Sequence, residues 1–158
     1  MRSVAFLLPV VVAALLSGCA TAPPATGSQR LASVVIEGAA ADKIKESVLT
    51  VFKRESFALA RPAEDKLVFE RPGTFLNGLA YGDWYGGGVY ERVEVFQKEL
   101  EPGRTLLDCN AFMVQEPEDP FFEKVRPVSK SRRGRYQKLL EAAAAALSQA
   151  SVAPAAPR

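Results

Sequence analysis

The chain predicts an α+β fold: a single two-layer domain with an antiparallel sheet and two helices packed on one face. Three observations carry this. Segments of apolar alternation recur at strand length, with turn chemistry between them at Pro62-Ala63-Glu64-Asp65 and Pro102-Gly103. Two segments instead carry apolar residues at helical spacing. Their order is strand, helix, hairpin, long hairpin, helix, which suits helices gathered on one face of an antiparallel sheet.

Leu31-Ala32-Ser33-Val34-Val35-Ile36-Glu37 is β-branched and reads as the first strand. A helix follows over about 41–55, where Ile44, Val48, Val51 and Phe52 fall at i, i+4, i+7 and i+8. Phe57 to Arg61 and Lys66 to Arg71 form a hairpin around Pro62. In the strand from Glu91 to Leu100, Val93 and Val95 share one face, while Arg92, Glu94 and Lys98 share the other. From Arg104 to Val114, Leu107, Cys109, Ala111 and Met113 share a face opposite Asp108 and Asn110. The stretch 116–130, broken by Pro117, Pro120 and Pro127, is expected to be irregular. A last helix begins near Ser129 or Ser131, either suited to cap it. Tyr136, Leu139, Leu140, Ala143 and Leu147 form its apolar stripe, and the alanine run favours helix. The domain is expected over 31–149, with a disordered tail at 150–158.

The front of the chain has a different character. Met1-Arg2-Ser3 precedes an apolar run from Val4 to Leu16, interrupted only by Pro9. This is the form of a secretory signal peptide, too short for a span of about 20 residues. Leu16-Ser17-Gly18-Cys19 resembles the lipobox of bacterial lipoproteins. The resemblance implies a signal peptide over 1–18, cleavage between Gly18 and Cys19, and acylation of Cys19. A plain signal peptide and an uncleaved anchor are the competing readings. Ala20 follows the cysteine, which in this family points to the outer membrane with the protein facing the periplasm, the inner membrane remaining open. Residues 20–30, small and proline-bearing, read as a tether of at most about 35 Å.

Composition narrows the function classes. The full chain carries 20 basic and 18 acidic residues, a net +2, so no nucleic-acid partner is expected. Of its 2 cysteines, Cys19 is assigned to lipid, which leaves Cys109 without an intramolecular partner. An oxidising compartment then favours burial of Cys109. Histidine is absent, and with it the usual base of a serine or cysteine nucleophile. Asp83, Glu91 and Glu94 have no spacing that marks a glycosidase pair, so no catalytic residue and no enzyme activity are expected. Glu116, Glu118 and Asp119 could in principle meet Ca²⁺, which takes six to eight oxygens, but their spacing lacks the glycine and terminal glutamate of a calcium loop. No metal or cofactor is expected.

Two stretches are candidates for binding. Pro72 to Tyr90 interleaves glycines with Phe75, Tyr81, Trp84 and Tyr85, giving backbone freedom beside large contact area. These aromatics either fold back over the sheet, dock a protein or membrane, or offer a sugar platform. A basic run then includes Lys124, Arg126, Lys130, Arg132, Arg133, Arg135 and Lys138, with no acid between Glu123 and Glu141. Phe75, Tyr81, Trp84, Tyr85, Lys130, Arg132, Arg133 and Arg135 are the candidate partner-binding residues.

The run Glu64-Asp65-Lys66-Leu67-Val68-Phe69-Glu70-Arg71-Pro72 is similar to a hairpin strand of small bacterial envelope lipoproteins, a resemblance that implies no activity. The layered order is also similar to the helix-grip domains of a lipoprotein in the outer-membrane barrel-assembly machinery. Together these imply a membrane-anchored accessory component with an envelope protein as partner. A module binding peptidoglycan or anionic lipid is the alternative.

Overall fold

The computed structural model describes residues 30–62, 66–74, 88–117 and 121–152. Its elements are β1 (Ala32–Glu37), α1 (Ala41–Arg54), β2 (Ala58–Pro62), β3 (Lys66–Pro72), β4 (Val89–Glu101), β5 (Arg104–Gln115), β6 (Lys124–Pro127), a 3-10 turn (Lys130–Arg132) and α2 (Arg133–Val152). Among the described residues, six strands form one antiparallel sheet in the order β1-β5-β4-β3-β2, with β6 also on β5. The expected α+β architecture is the one observed.

β5 organises the sheet. β4 pairs along one side of it, from Val89↔Gln115 to Glu101↔Arg104. Its other side is divided: β1 takes Arg104 to Cys109, and β6 takes Phe112 to Gln115. The strand β6 falls in the stretch expected to be irregular. It is short and lies at an edge, where its terminal Pro127 needs no N–H donor and Val128 N makes the next bond, to Ala111 O at 2.9 Å. Four residues carry too little alternation to signal a strand. The β1 edge is closed from α2, where the Gln137 side-chain amide donates to Ser33 O at 2.9 Å and accepts from Ser33 N at 3.2 Å. One amide thus satisfies two outward-facing backbone groups.

Both helices bury their apolar stripes against this sheet. Ile44, Val48, Val51 and Phe52 of α1 meet Tyr136, Leu139, Leu140 and Ala143 of α2 in one core with Phe69, Val93, Val95, Leu107 and Met113. Ser47 is buried between the helices, its hydroxyl donating to Ala143 O at 2.7 Å. The start of α2 is more elaborate than a single cap. Ser129 Oγ accepts from Ser131 N at the 3-10 turn, and α2 proper follows from Arg133. At its other end α2 runs on to Val152, past the expected domain limit at 149.

The end of α1 positions a core aromatic. Ser56 has φ +64°, and two bonds, Phe57 N to Phe52 O at 3.0 Å and Ser56 N to Lys53 O at 3.1 Å, form a Schellman closure. The turn drives Phe57 inward, ahead of β2 rather than within it. Its ring sits 5.5 Å from that of Phe52, which in turn stacks on Phe69 at 4.4 Å.

Cys109 lies in the middle of β5, fully buried, as the single-thiol argument required. Burial first, and the Asp108 carboxylate second, push its thiol up to about 12. In a Cys19→Ser background, a thiol reagent at neutral pH is expected to leave the native protein unmodified and to label it fully in denaturant. Immediate native labelling would mean that β5 does not face the core as described. Ser56→Gly is expected to raise stability by about 1 kcal/mol, measured by urea titration, because glycine meets no Cβ clash at positive φ.

Candidate functional site

The most constrained polar group in the described structure is the Glu91 carboxylate. Glu91 stands one pleat before Val93 and Val95 and shares their inward direction, so its side chain enters the core at 4% exposure. A buried carboxylate is tolerable only when paired and hydrogen-bonded. Arg71, directly opposite on β3, donates to Oε2 from Nε at 2.9 Å and from Nη2 at 2.6 Å. Tyr136 of α2 donates its hydroxyl to Oε1 at 2.7 Å. Arg135 Nη1 reaches Oε2 at 3.4 Å from a half-exposed side chain.

Arg71 is itself held from behind. Its Nη1 donates to Glu55 O at 3.1 Å, and its guanidinium lies 4.4 Å over the Phe57 ring. The Schellman turn therefore serves the site, since it places both Glu55 O and Phe57 beneath Arg71. This arrangement clamps the carboxylate rather than leaving it open to a substrate proton.

The network joins the two stretches singled out as candidates. Arg71 and Glu91 pair at the last rungs before the connection between β3 and β4, and Gly73 N donates to Val89 O at 2.6 Å to close that ladder. Arg135 and Tyr136 belong to the first turn of α2. Hence the feet of the glycine-aromatic segment and the head of the basic helix are fastened to one carboxylate. Of the predicted partner-binding residues, Lys130, Arg132, Arg133 and Arg135 are exposed around that helix start. Arg135 alone among these four turns back to Glu91. Phe75, Tyr81, Trp84 and Tyr85 lie outside the described residues, as do Gly18 and Cys19.

Sequence reasoning did not single out Arg71, Glu91 and Tyr136 as a cluster. A usable signal was present: strand parity puts Glu91 with Val93 and Val95, and Arg71 with Leu67 and Phe69. Charges at core parity on two successive strands announce a buried pair.

The opposite sheet face holds its own charges. Arg92 bridges Glu70 and Glu123, Lys66 meets Glu94 at 2.7 Å, and Arg30 stacks 3.6 Å from the Phe96 ring centroid while pairing with Asp108. The expected polar face is thus largely self-neutralised. A cleft of about 290 Å³ opens at the far end between α1 and the sheet, over Val48, Leu67, Val95 and Leu107. Lys45 and Lys66 are offset there by Asp42 and Glu99, which gives the cleft no single ligand charge. No cluster of metal-ligating side chains occurs among the described residues.

Glu91→Gln is expected to cost about 3–5 kcal/mol in urea unfolding, because it leaves the Arg71 charge buried without its counter-ion. A cost below about 1 kcal/mol would show the pair to be solvated. Burial first, and Glu91 second, raise the Tyr136 phenol above its ordinary 10.0. The folded chain then keeps a proton that the unfolded chain loses above pH 10. This contribution is whole below pH 10 and shrinks at higher pH by about 1.4 kcal/mol per unit. Tyr136→Phe is expected to lose about 1.5–3 kcal/mol at neutral pH and to flatten that alkaline decline. An unchanged slope would place the phenol in water.

No family model matches the chain, and no curated protein matches it. Among solved structures, it is similar to the adenylate sensor from AMP-activated protein kinase in complex with 5-aminoimidazole-4-carboxamide 1-beta-D-ribofuranotide. The TM-score is 0.44 and the identity 15%, over 70% of this chain and 93% of that one. A likeness so slight carries no argument about what this chain binds.

Proposed function

We propose that this chain is a lipid-anchored envelope lipoprotein facing the periplasm from the outer membrane, and that its domain is a non-enzymatic accessory component that binds another envelope protein. The observation that carries the binding part is the Glu91 clamp. It ties the feet of the glycine-aromatic segment to Arg135 and Tyr136 at the head of α2, next in sequence to the exposed cations Lys130, Arg132 and Arg133. A preordered frame lowers the entropy cost of docking, and exposed cations steer an acidic partner. The anchoring part rests on Leu16-Ser17-Gly18-Cys19. Two or more acyl chains hold durably where one is marginal.

The second reading, a module for peptidoglycan or anionic lipid, is favoured by the same cations, which lie in an acid-free run from Lys124 to Leu140. The two are separable in intact cells. A photo-crosslinking amino acid at position 133, and another at 84, is expected to give a discrete protein adduct that a control at Lys45 lacks. Adducts to glycan or lipid alone would favour the second reading. Cys19→Ala is expected to move the folded protein out of the carbonate-washed membrane fraction. Retention of this variant with the membranes would remove the lipid anchor from the proposal.

A further inference from the structure

At the end of the sheet away from Glu91, the core stops short of covering the strands. The inward positions of β4 run Glu91, Val93, Val95, Gln97 and Glu99, so the apolar series ends at Val95. Gln97 lies opposite Leu107 and Glu99 opposite Thr105, both buried positions of β5. An aliphatic residue at 97 would extend the core under the start of α1; the chain places an amide there and a carboxylate two residues on. The cleft of about 290 Å³ lies at this place. It has room for about ten waters at about 30 Å³ each. Its floor is Val48, Leu67, Val95 and Leu107, each at most 8% exposed.

The rim carries charges of both signs. Lys66 borders the cleft but gives its ammonium to Glu94 at 2.7 Å. Among the described residues, Lys45 on α1 and Glu99 on β4 make no ion pair, although they line the same cleft. The Gln97 amide makes one bond among them, a long one of 3.4 Å from Nε2 to Ala41 O. Asp42 adds a second acid in the first turn of α1, whose N-cap Ala40 supplies no side-chain acceptor. An anion alone would face Asp42 and Glu99, and a cation alone would face Lys45. A neutral apolar molecule would gain the floor and nothing from the rim. A zwitterion with an aliphatic body uses all of it. Its carboxylate turns to Lys45 and the positive end of α1, its amine to Glu99 and the Gln97 carbonyl, and its apolar part to the floor.

We infer that the cleft is a binding site for a small aliphatic zwitterion, an amino acid or dipeptide, held between Lys45 and Glu99. The site is separate from the Glu91 clamp and from the cations at the head of α2. It depends on neither the lipid anchor nor an envelope partner.

The test uses the full chain in phosphatidylcholine nanodiscs, since detergent could enter an apolar cleft. Methyl resonances of Val48, Leu67, Val95 and Leu107 are followed by NMR during titration with L-leucine and with glycyl-L-leucine. Saturable shifts centred on these methyls are expected from at least one of the two, and the stronger ligand fixes the span of the site. Isoamylamine and isocaproate, which keep the aliphatic body and one charge each, are expected to bind several-fold more weakly. Lys45→Gln and Glu99→Gln, both at exposed positions, are each expected to weaken binding about two- to five-fold, the range for one exposed charge contact. Gln97→Phe is expected to abolish it by covering the floor, with protection of the Cys109 thiol as the check that the variant is folded. Methyls that stay unshifted with both zwitterions overturn the site. Equal binding of isoamylamine or isocaproate, or of the Lys45 and Glu99 variants, overturns the assignment of a zwitterion.

Discussion

A carboxylate inside an apolar core determines how the upper half of this domain is assembled. Glu91 cannot remain charged at that depth unless donors converge on it, and those donors come from β3 and from α2, far apart in the chain. Each donor has its own support. Arg71 is backed by the α1 terminus, and Tyr136 sits in the stripe that packs α2 on the sheet. The ion pair therefore acts less as a source of net stability than as a register device. Desolvation offsets much of its Coulomb energy, yet alternative packings that separate the partners are heavily disfavoured.

The division of β5 extends the same logic to the sheet's outline. Because β1 stops at the level of Cys109 and β6 starts only at Phe112, one strand supports two short edges with different neighbours. The β1 edge is sealed by Gln137, so α2 both covers the core and finishes the sheet. The β6 edge leads directly into the basic turn. Chain entry at Arg30 is fastened to the outer face through Phe96 and Asp108, which gives the domain a defined point of attachment.

Charge is distributed unevenly across this frame. On the outer face, acids and bases face one another across neighbouring strands and largely cancel. Around the 3-10 turn and the head of α2, cations stand exposed at the end of a helix where the dipole disfavours them. Surface ion pairing of the kind seen at Glu94 contributes little to stability.

Much of this architecture was legible in the chain. The two helices follow from Ile44, Val48, Val51 and Phe52 and from Tyr136 to Ala143, because a 3.6-residue period admits no other regular structure. The strand faces follow from parity, which also placed Cys109 inward. The resemblance of Leu16-Ser17-Gly18-Cys19 to a lipobox needs no fold to be read, because it is carried by a linear motif. What tertiary structure alone decided were matters of pairing. Four residues of β6 become a strand only because β5 has an empty edge there. A charged Glu91 and Arg71 are acceptable at core positions only because antiparallel register sets them opposite one another. Local sequence specifies which face a side chain takes; whether a charge on that face is satisfied depends on residues brought there from elsewhere in the chain.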